Sequence, residues 1–421
     1  MASHYLHYQS NPKPNMASIP RPFFRSFKDL GRTWFKRTRP RTFEGKPNFE
    51  FTIASYNVLA DKLLHDHPHL YFNRGNRDSW IFDWNYRKKN LIAEIIYSNA
   101  DILCLQEVQE EHFYNWFNPK LKECGYTGIY NKRSGNKEDG CATFFKHDIF
   151  CMERHELVSF NKPKSNFMNR DNVAILVVLQ PRAEIFKTNT PICVGNTHLL
   201  FNTKRGDIKL AQLAHLFAEV DRLSTDCRSN LPVILCGDFN STPFSPLYDF
   251  LIRGELKFDG ISRTVISGQD GSAKNENNYV LRDNVFPPDL GLTHTCKWRD
   301  SAQKQNGVNN IIDLTSDNDD YQTYLKEERG ILKHDLELNS CYMHRGLDGS
   351  REVTTCHDKA CSTVDYILYS NGKKKDSGGH SLWVSGVMSL LSEHEVYNMG
   401  KLPNKNLSSD HLMLMSSFVM S

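Results

Sequence analysis

The chain has no Cys-x-x-Cys pair among its eleven cysteines and no Cys/His group at zinc-finger spacing. That excludes a structural zinc module, and scattered thiols in 421 residues read as buried or free thiols of a reducing compartment. Long apolar runs are also missing. The longest, Val173 to Leu179, falls far short of the ~20 residues a membrane helix needs, so a soluble protein that does not enter a membrane is expected. No internal repeat is visible. With 39% hydrophobic residues the chain can instead bury one large core or two ordinary ones.

Acidic residues are scarce at the start. Residues 1–48 hold ten Lys/Arg against Asp29 and Glu44, a net +8, whereas the whole chain is +3 and the remainder therefore −5. Phe23, Phe24, Phe27, Trp34 and Phe35 are interleaved with those cations. This basic, partly disordered arm (1–48) reads as a solvated tail, as a segment holding RNA through phosphate contacts and stacking, or as part of a mitochondrial transit sequence.

From residue 49 to 421 the pattern is that of one catalytic domain. Strands are expected at 51–59, 101–108, 140–145, 173–179, 192–199, 232–239, 364–369 and 412–419. Amphipathic helices are expected around Trp84–Ile96, at Asp207–Leu223 and at Pro246–Arg253. Many strands with a few long helices predict an α/β fold, two sheets packed face to face with helices outside. Residues 299–335 are rich in Asp, Asn, Gln, Lys and Glu and read as a flexible insertion.

The chemistry gathers at strand ends. Asn57 closes Ser-Tyr-Asn-Val-Leu, and Glu107 sits in Leu-Gln-Glu-Val. Asn196 and His198 end Gly-Asn-Thr-His-Leu, and Asp238 and Asn240 end Leu-Cys-Gly-Asp-Phe-Asn. Asp365 and the pair Asp410-His411 complete the set. Each alone is more often a turn former than a ligand; together they make a site for attack on a phosphate ester. Oxygen ligands without cysteine favour a hard ion, Mg²⁺ or alternatively Mn²⁺. Such an ion neutralises a phosphate oxygen and orients water.

These motifs together resemble the endonuclease/exonuclease/phosphatase superfamily, which includes DNase I, abasic-site endonucleases, inositol-phosphate 5-phosphatases and mRNA deadenylases. The resemblance covers about residues 50–421 and implies the four-layer α/β/β/α sandwich of DNase I. It implies that Glu107, Asn57 and Asp410 serve the metal and its waters. Asp238 and Asn240 would position or deprotonate the attacking water, His411 oriented by Asp365 would contact the scissile phosphate, and His198 would hold a phosphate oxygen. Whether Asp238 or His411 is the base stays open.

Asp139-Gly-Cys-Ala142, Arg170-Asp171-Asn172-Val173-Ala174 and Asp207-Ile-Lys209 resemble the deadenylase-like branch. His198-Leu-Leu-Phe-Asn-Thr-Lys-Arg-Gly-Asp207 and Arg351-Glu-Val-Thr-Thr-Cys-His357 are similar to its Angel group. That group implies removal of 2′,3′-cyclic phosphate from RNA 3′ ends, leaving a cis-diol. Asn202-Thr203 stands where poly(A) exonucleases tend to have Asp-Pro, and Thr355 where they read adenine with Asn. Lys204 and Arg205 follow as candidate phosphate contacts, with Arg170, Asn172, Asn196, Thr355 and His357 as further candidate substrate contacts. The rivals are a 3′-to-5′ poly(A) exoribonuclease and an inactive RNA-binding or translation scaffold.

Two short motifs remain. Ile311-Ile-Asp-Leu-Thr-Ser-Asp317 resembles a SUMO-interacting motif, aliphatics with an acidic run that can extend a partner's sheet. Tyr86 to Ile92 matches the Tyr-x4-Leu pattern of partners of the cap-binding translation factor, but its apolar residues are needed to pack the first long helix. A monomer is expected. Cytoplasm suits the thiols, a nucleus the SUMO-like motif and a mitochondrion the basic arm.

Overall fold

A computed structural model describes residues 26–38, 49–71, 76–162, 165, 167–182, 190–225, 229–270, 280–282, 285–286, 290–299, 330–346, 348–370, 373–374 and 382–420. Two sheets dominate. The first joins β1 (Trp34–Lys36), β2 (Phe49–Asn57), β3 (Ile102–Gln109), β4 (Tyr126–Lys132) and β5 (Asp139–Lys146). The second carries β6 (Phe150–Ser159), β7 (Val173–Pro181), β8 (Ile192–His198) and β9 (Val233–Asp238). Of the later segments, β10 (Asn339–Ser340) joins the second sheet, β11 (Thr355–Cys356) and β12 (Cys361–Ser362) pair as a separate hairpin, β13 (Asp365–Ser370) joins the second sheet, and β14 (Leu382–Met388) and β15 (Leu414–Met420) join the first. The orders are β1-β14-β15-β2-β3-β5-β4 and β10-β13-β9-β8-β7-β6.

Helix α1 (Asp61–Asp66) follows β2, and α2 (Trp84–Ser98) buries Leu91, Ile92 and Ile95 against the first sheet. On the outer face of the second sheet lie α3 (Gly206–Ser224) and α4 (Pro246–Arg253), packed on Leu176, Val178, Cys193 and Leu235. Between the sheets, Phe51, Ile53 and Ile102 meet Val177, Val194, Ile234 and Cys236. The layers are thus α/β/β/α. Strands β7 and β9 read as continuous apolar runs because helices cover one face and the other sheet covers the other.

Register aligns the strand ends. Asp238 of β9 pairs with His198 of parallel β8 on one side and with Asp365 of antiparallel β13 on the other. In β8, Ile192 and Val194 fill the space between the sheets; by the two-residue period Asn196 and His198 share their face. Gly237 has φ 146°, and a Cβ there would lie 1.9 Å from the Thr197 carbonyl oxygen. Only glycine lets the His198 and Asp238 strands approach this closely.

Two expectations are corrected. The boundary at residue 49 falls too late: Phe27 and Leu30 pack into the core, Arg32 is buried, and β1 pairs with β14 from Trp34↔Met388 to Lys36↔Gly386. A three-residue strand paired with residues some 350 positions away leaves no local periodicity to read. Residues 1–25 lie outside the described residues. The second is the expectation of buried or free thiols. Cys356 and Cys361 face each other across β11–β12 and form a disulfide, while the other eight described cysteines are free. Among the described residues no helix is long and apolar enough to cross a membrane.

Most of the 299–335 insertion, including the SUMO-like 311–317, lies outside the described residues. Within 86–92, Leu91 and Ile92 are fully buried, as their packing role on α2 requires.

Candidate active site

The site forms where the facing strands of both sheets end. On the first sheet, β3 slips register against β5 between Leu105 and Val108, and Glu107 takes φ 57° at that bulge. A bulge re-aims one side chain, and a non-glycine residue held at positive φ marks strain retained for a purpose. Glu107 Oε1 accepts from Asn57 Nδ2 at 2.9 Å, and its Oε2 accepts from the Ala60 N–H at 3.0 Å. The same Asn57 amide donates to Asp238 Oδ2 at 3.2 Å, tying the two sheets together.

Asp238 Oδ2 is the hub. His198 Nε2 lies 3.6 Å from it and His411 Nε2 3.8 Å. Its other oxygen accepts from the Asn240 N–H at 2.9 Å, with Asn240 at φ 48°. The Asn240 amide donates to the Leu199 carbonyl, and buried Lys209 of α3 donates to the Asn240 carbonyl at 2.7 Å. The turn after β9 is therefore clamped from both sides. His411 Nδ1 stands 2.8 Å from Asp365 Oδ2, which fixes the ring with Nε2 toward Asp238.

Burial divides the charges. Burial and then Asp365 push Asp238 up to about 8, with His411 pulling the other way. Burial pushes Glu107 up to about 7, reinforced by Asp410 and Asp139. His198 goes the opposite way: burial, helped by Arg133, His411 and Lys209, lowers it well below the usual range, so it is neutral. For His411 burial is also the largest influence and lowers it, yet Asp365, Asp410 and Asp238 together outweigh that, and it is raised well above the usual range. One imidazole is kept neutral and the other cationic beside the same carboxylate.

Among the described residues, Asp238, Asp365 and His411 bring metal-type ligand atoms within 4.8 Å of one another. Asp365 is already committed to His411, so this cluster reads as a proton-handling group. The need for a cation is greater at Glu107 and Asp410. Burial raises the Tyr71 hydroxyl well above its usual range and each carboxylate adds to that, Asp410 Oδ2 accepts from that hydroxyl at 2.8 Å, and Asp410 Oδ1 is buried without a hydrogen bond, 3.9 Å from His411 Nε2. Oxygen donors gathered from two buried carboxylates, one of them with an oxygen that makes no hydrogen bond, suit a hard divalent ion.

The other substrate candidates separate. Asn196 lies one layer below the site, donating to the Leu105 and Ala142 carbonyls and accepting from Gln106 Nε2 at 2.8 Å. It is a bridge between sheets and no substrate ligand, because its whole amide is engaged and fully buried. Asn172 donates to the His198 carbonyl, and the Thr355 hydroxyl donates to the Asp410 carbonyl, so both hold catalytic backbone. The Arg205 guanidinium is bonded bidentately to Asp207 at 2.8 and 2.9 Å. Lys204 is exposed, Arg170 bonds to neighbouring Asn169, and His357 lies beside Tyr71 with its ring lowered by burial.

Sequence reasoning missed Arg133 and Tyr71. Arg133 bonds Asp139, keeps a buried Nε without a partner, and its charge acts on His198. It directly follows β4, a strand too polar to be read from its pattern. Tyr71 lies in a short irregular segment with no periodicity at all.

Two facing mixed sheets carrying carboxylates, amides and histidines at their rims define a phosphoesterase, and the chain belongs to the Endonuclease/Exonuclease/phosphatase family, whose model matches residues 54–411. Enzymes of this family are typically dependent on a divalent metal. Among its relatives is Protein angel homolog 2 of Homo sapiens, 38% identical over 403 residues, covering 91% of this chain and 72% of that protein. Protein angel homolog 1 of Homo sapiens is 35% identical, covering 89% of this chain and 63% of that one. The crystal structure of ANGEL2, a 2′,3′-cyclic phosphatase, in complex with adenosine-2′,3′-vanadate superposes with a TM-score of 0.78 at 36% identity. That match covers 92% of this chain and 98% of the other.

Proposed function

We propose that this phosphoesterase removes 2′,3′-cyclic phosphate from RNA 3′ ends and leaves a cis-diol. The likeness to ANGEL2 over nearly the whole domain carries the reading. Glu107 and Asp410, with Asn57 alongside, would hold Mg²⁺, which supplies charge neutralisation on a phosphate oxygen when bound.

The chain's own groups fit the two hydrolyses required. In each, water attacks phosphorus and one P–O bond to the ribose breaks; the first opens the ring and the second releases inorganic phosphate. Asp238, turned toward the site by the Asn240 N–H, holds the attacking water and receives its proton. Cationic His411, aligned by Asp365, faces the charge developing on the phosphate oxygens, and His198 Nε2 offers a second contact. Arg133 adds positive charge on the side of His198.

The test uses 5′-labelled RNA ending in a 2′,3′-cyclic phosphate, and poly(A) with free 3′ hydroxyls, each with Mg²⁺. Loss of the cyclic phosphate at constant chain length, absent in Asp238→Ala, is expected. A ladder of shortened poly(A) would replace the reading with a 3′-exonuclease. No activity on either RNA would leave a scaffold.

A further inference from the structure

Two loops leave opposite sheets at the rim of the site and meet at a pair of rings. The first follows β2 and α1 and carries His67. Both its ends are tied to carboxylates of the site: the Ala60 N–H donates to Glu107, and the Tyr71 hydroxyl donates to Asp410. The second loop follows His198 directly and carries Phe201. It is braced as well. The Leu199 N–H donates to the Asp238 carbonyl, the Leu199 carbonyl accepts from the Asn240 amide, and the Leu200 N–H donates to Gln212 Oε1 at 3.0 Å. The ring centroids of His67 and Phe201 stand 6.4 Å apart at 32°, and His69 lies 6.0 Å from His67.

Phe201 is nevertheless 56% exposed, and His67 is only half-buried. A single exposed ring is ordinary. This one stands on a fixed loop, three residues from His198, against a ring supplied from the other sheet. Three residues span at most ~11 Å, so Phe201 lies within a nucleoside's reach of the His198 imidazole. The polar groups beside it are already engaged: Asn202 Oδ1 accepts from the Lys204 N–H, and the Arg205 guanidinium is bonded to Asp207. What this loop offers a substrate is a ring rather than a set of hydrogen bonds.

We propose that Phe201, backed by His67, is the stacking platform for the base of the 3′-terminal nucleotide. The occupant follows from covalent connection. A phosphate held between His198 and His411 brings its own ribose and base, and the exposed ring adjoins one of those two histidines. Every base has a π face, so stacking holds the end of an RNA whatever its sequence. The inference rests on the reading of a cyclic-phosphate RNA end as substrate, and binding tests it separately from turnover.

The test compares two RNAs ending in 2′,3′-cyclic phosphate, one with adenine on the terminal ribose and one abasic there. Steady-state kinetics are measured for the wild type, Phe201→Ala, Phe201→Leu, Phe201→Trp and His67→Ala, after matching melting temperatures. The wild type should show a KM about 10-fold lower for the adenine end than for the abasic end, at similar kcat. Phe201→Ala and Phe201→Leu should erase that preference, Phe201→Trp should retain it, and His67→Ala should reduce it. No preference in the wild type, or a KM that rises equally for both ends in Phe201→Ala, would overturn the proposal; the second result would make Phe201 a structural residue. Affinities of the same RNAs for Asp238→Ala, with and without Phe201→Ala, are read by fluorescence anisotropy. If nothing is turned over, the function reading falls, while equal affinities for the two ends would still sink the platform and an adenine preference lost with Phe201 would uphold it.

Discussion

Asp238 Oδ2 lies within 4 Å of both histidine Nε2 atoms and accepts from Asn57, so one oxygen meets groups from three other segments of the chain. Its neighbours differ in how far they could be read from sequence. Asp238, His198 and Glu107 each terminate an apolar run, and an abrupt polar residue there is visible. Asn196 ends the same kind of run and looked identical, although it sits one layer deeper, because pattern gives a face but not a depth. Among the described residues His198 Nδ1 is buried without a hydrogen bond, and Nε2 faces only the Asp238 carboxylate at 3.6 Å. His198→Ala should therefore lower kcat on the order of 10²-fold or more while the melting temperature holds. Steady-state kinetics beside a thermal melt would check it, and unaltered kcat would remove His198 from the chemistry.

At the scale of elements, the strands that escaped reading have physical reasons in common. β6 alternates charged residues because its outer positions face water, and β14 is interrupted at Ser385-Gly386 by a bulge against β15. β4 is mostly half-buried and polar, and β1 exists only through its pairing. Buried Arg32 shows what holds β1 in place: its Nε donates to the Ser389 carbonyl at 2.9 Å and its Nη2 to the Met413 carbonyl at 2.5 Å. Arg32→Met keeps the buried stem but leaves the Ser389 and Met413 carbonyls without those donors, at about 2 kcal/mol or more. Chemical denaturation should register it as a lower midpoint at constant slope. Beneath it, Glu94 on α2 accepts from the Tyr56 hydroxyl at 2.9 Å, and burial lifts its carboxyl to about 7 against weaker pulls from Tyr56 and Arg32. Above that pH the buried charge is a standing penalty; as pH falls toward 4.5 the folded state takes up the proton first and the penalty disappears. Glu94→Gln should stabilise the protein by up to ~3 kcal/mol at pH 8 and by almost nothing near pH 4.5. A gain independent of pH would mean that the Glu94 carboxyl titrates alike in the folded and the unfolded chain.

Across the whole molecule, the site is assembled from segments scattered from Asn57 to His411, so binding there reports on the global fold. A divalent ion held at Glu107 and Asp410 should raise the melting temperature of protein first stripped with EDTA, in proportion to the logarithm of its concentration. Glu107→Gln should lose most of that increment while melting normally without the ion. An undiminished increment would place the ion elsewhere.

The Asn196–Gln106 amide pair also bears on how the enzyme can diversify. It welds the two halves of the catalytic floor in a fully buried interior, so neither sheet can slide past the other without abandoning several hydrogen bonds at once. Domain closure is not available to such a scaffold as a means of choosing substrates. Discrimination has to be written into the loops and edges around an unyielding base, which is where changes in this lineage can accumulate without disturbing the reaction.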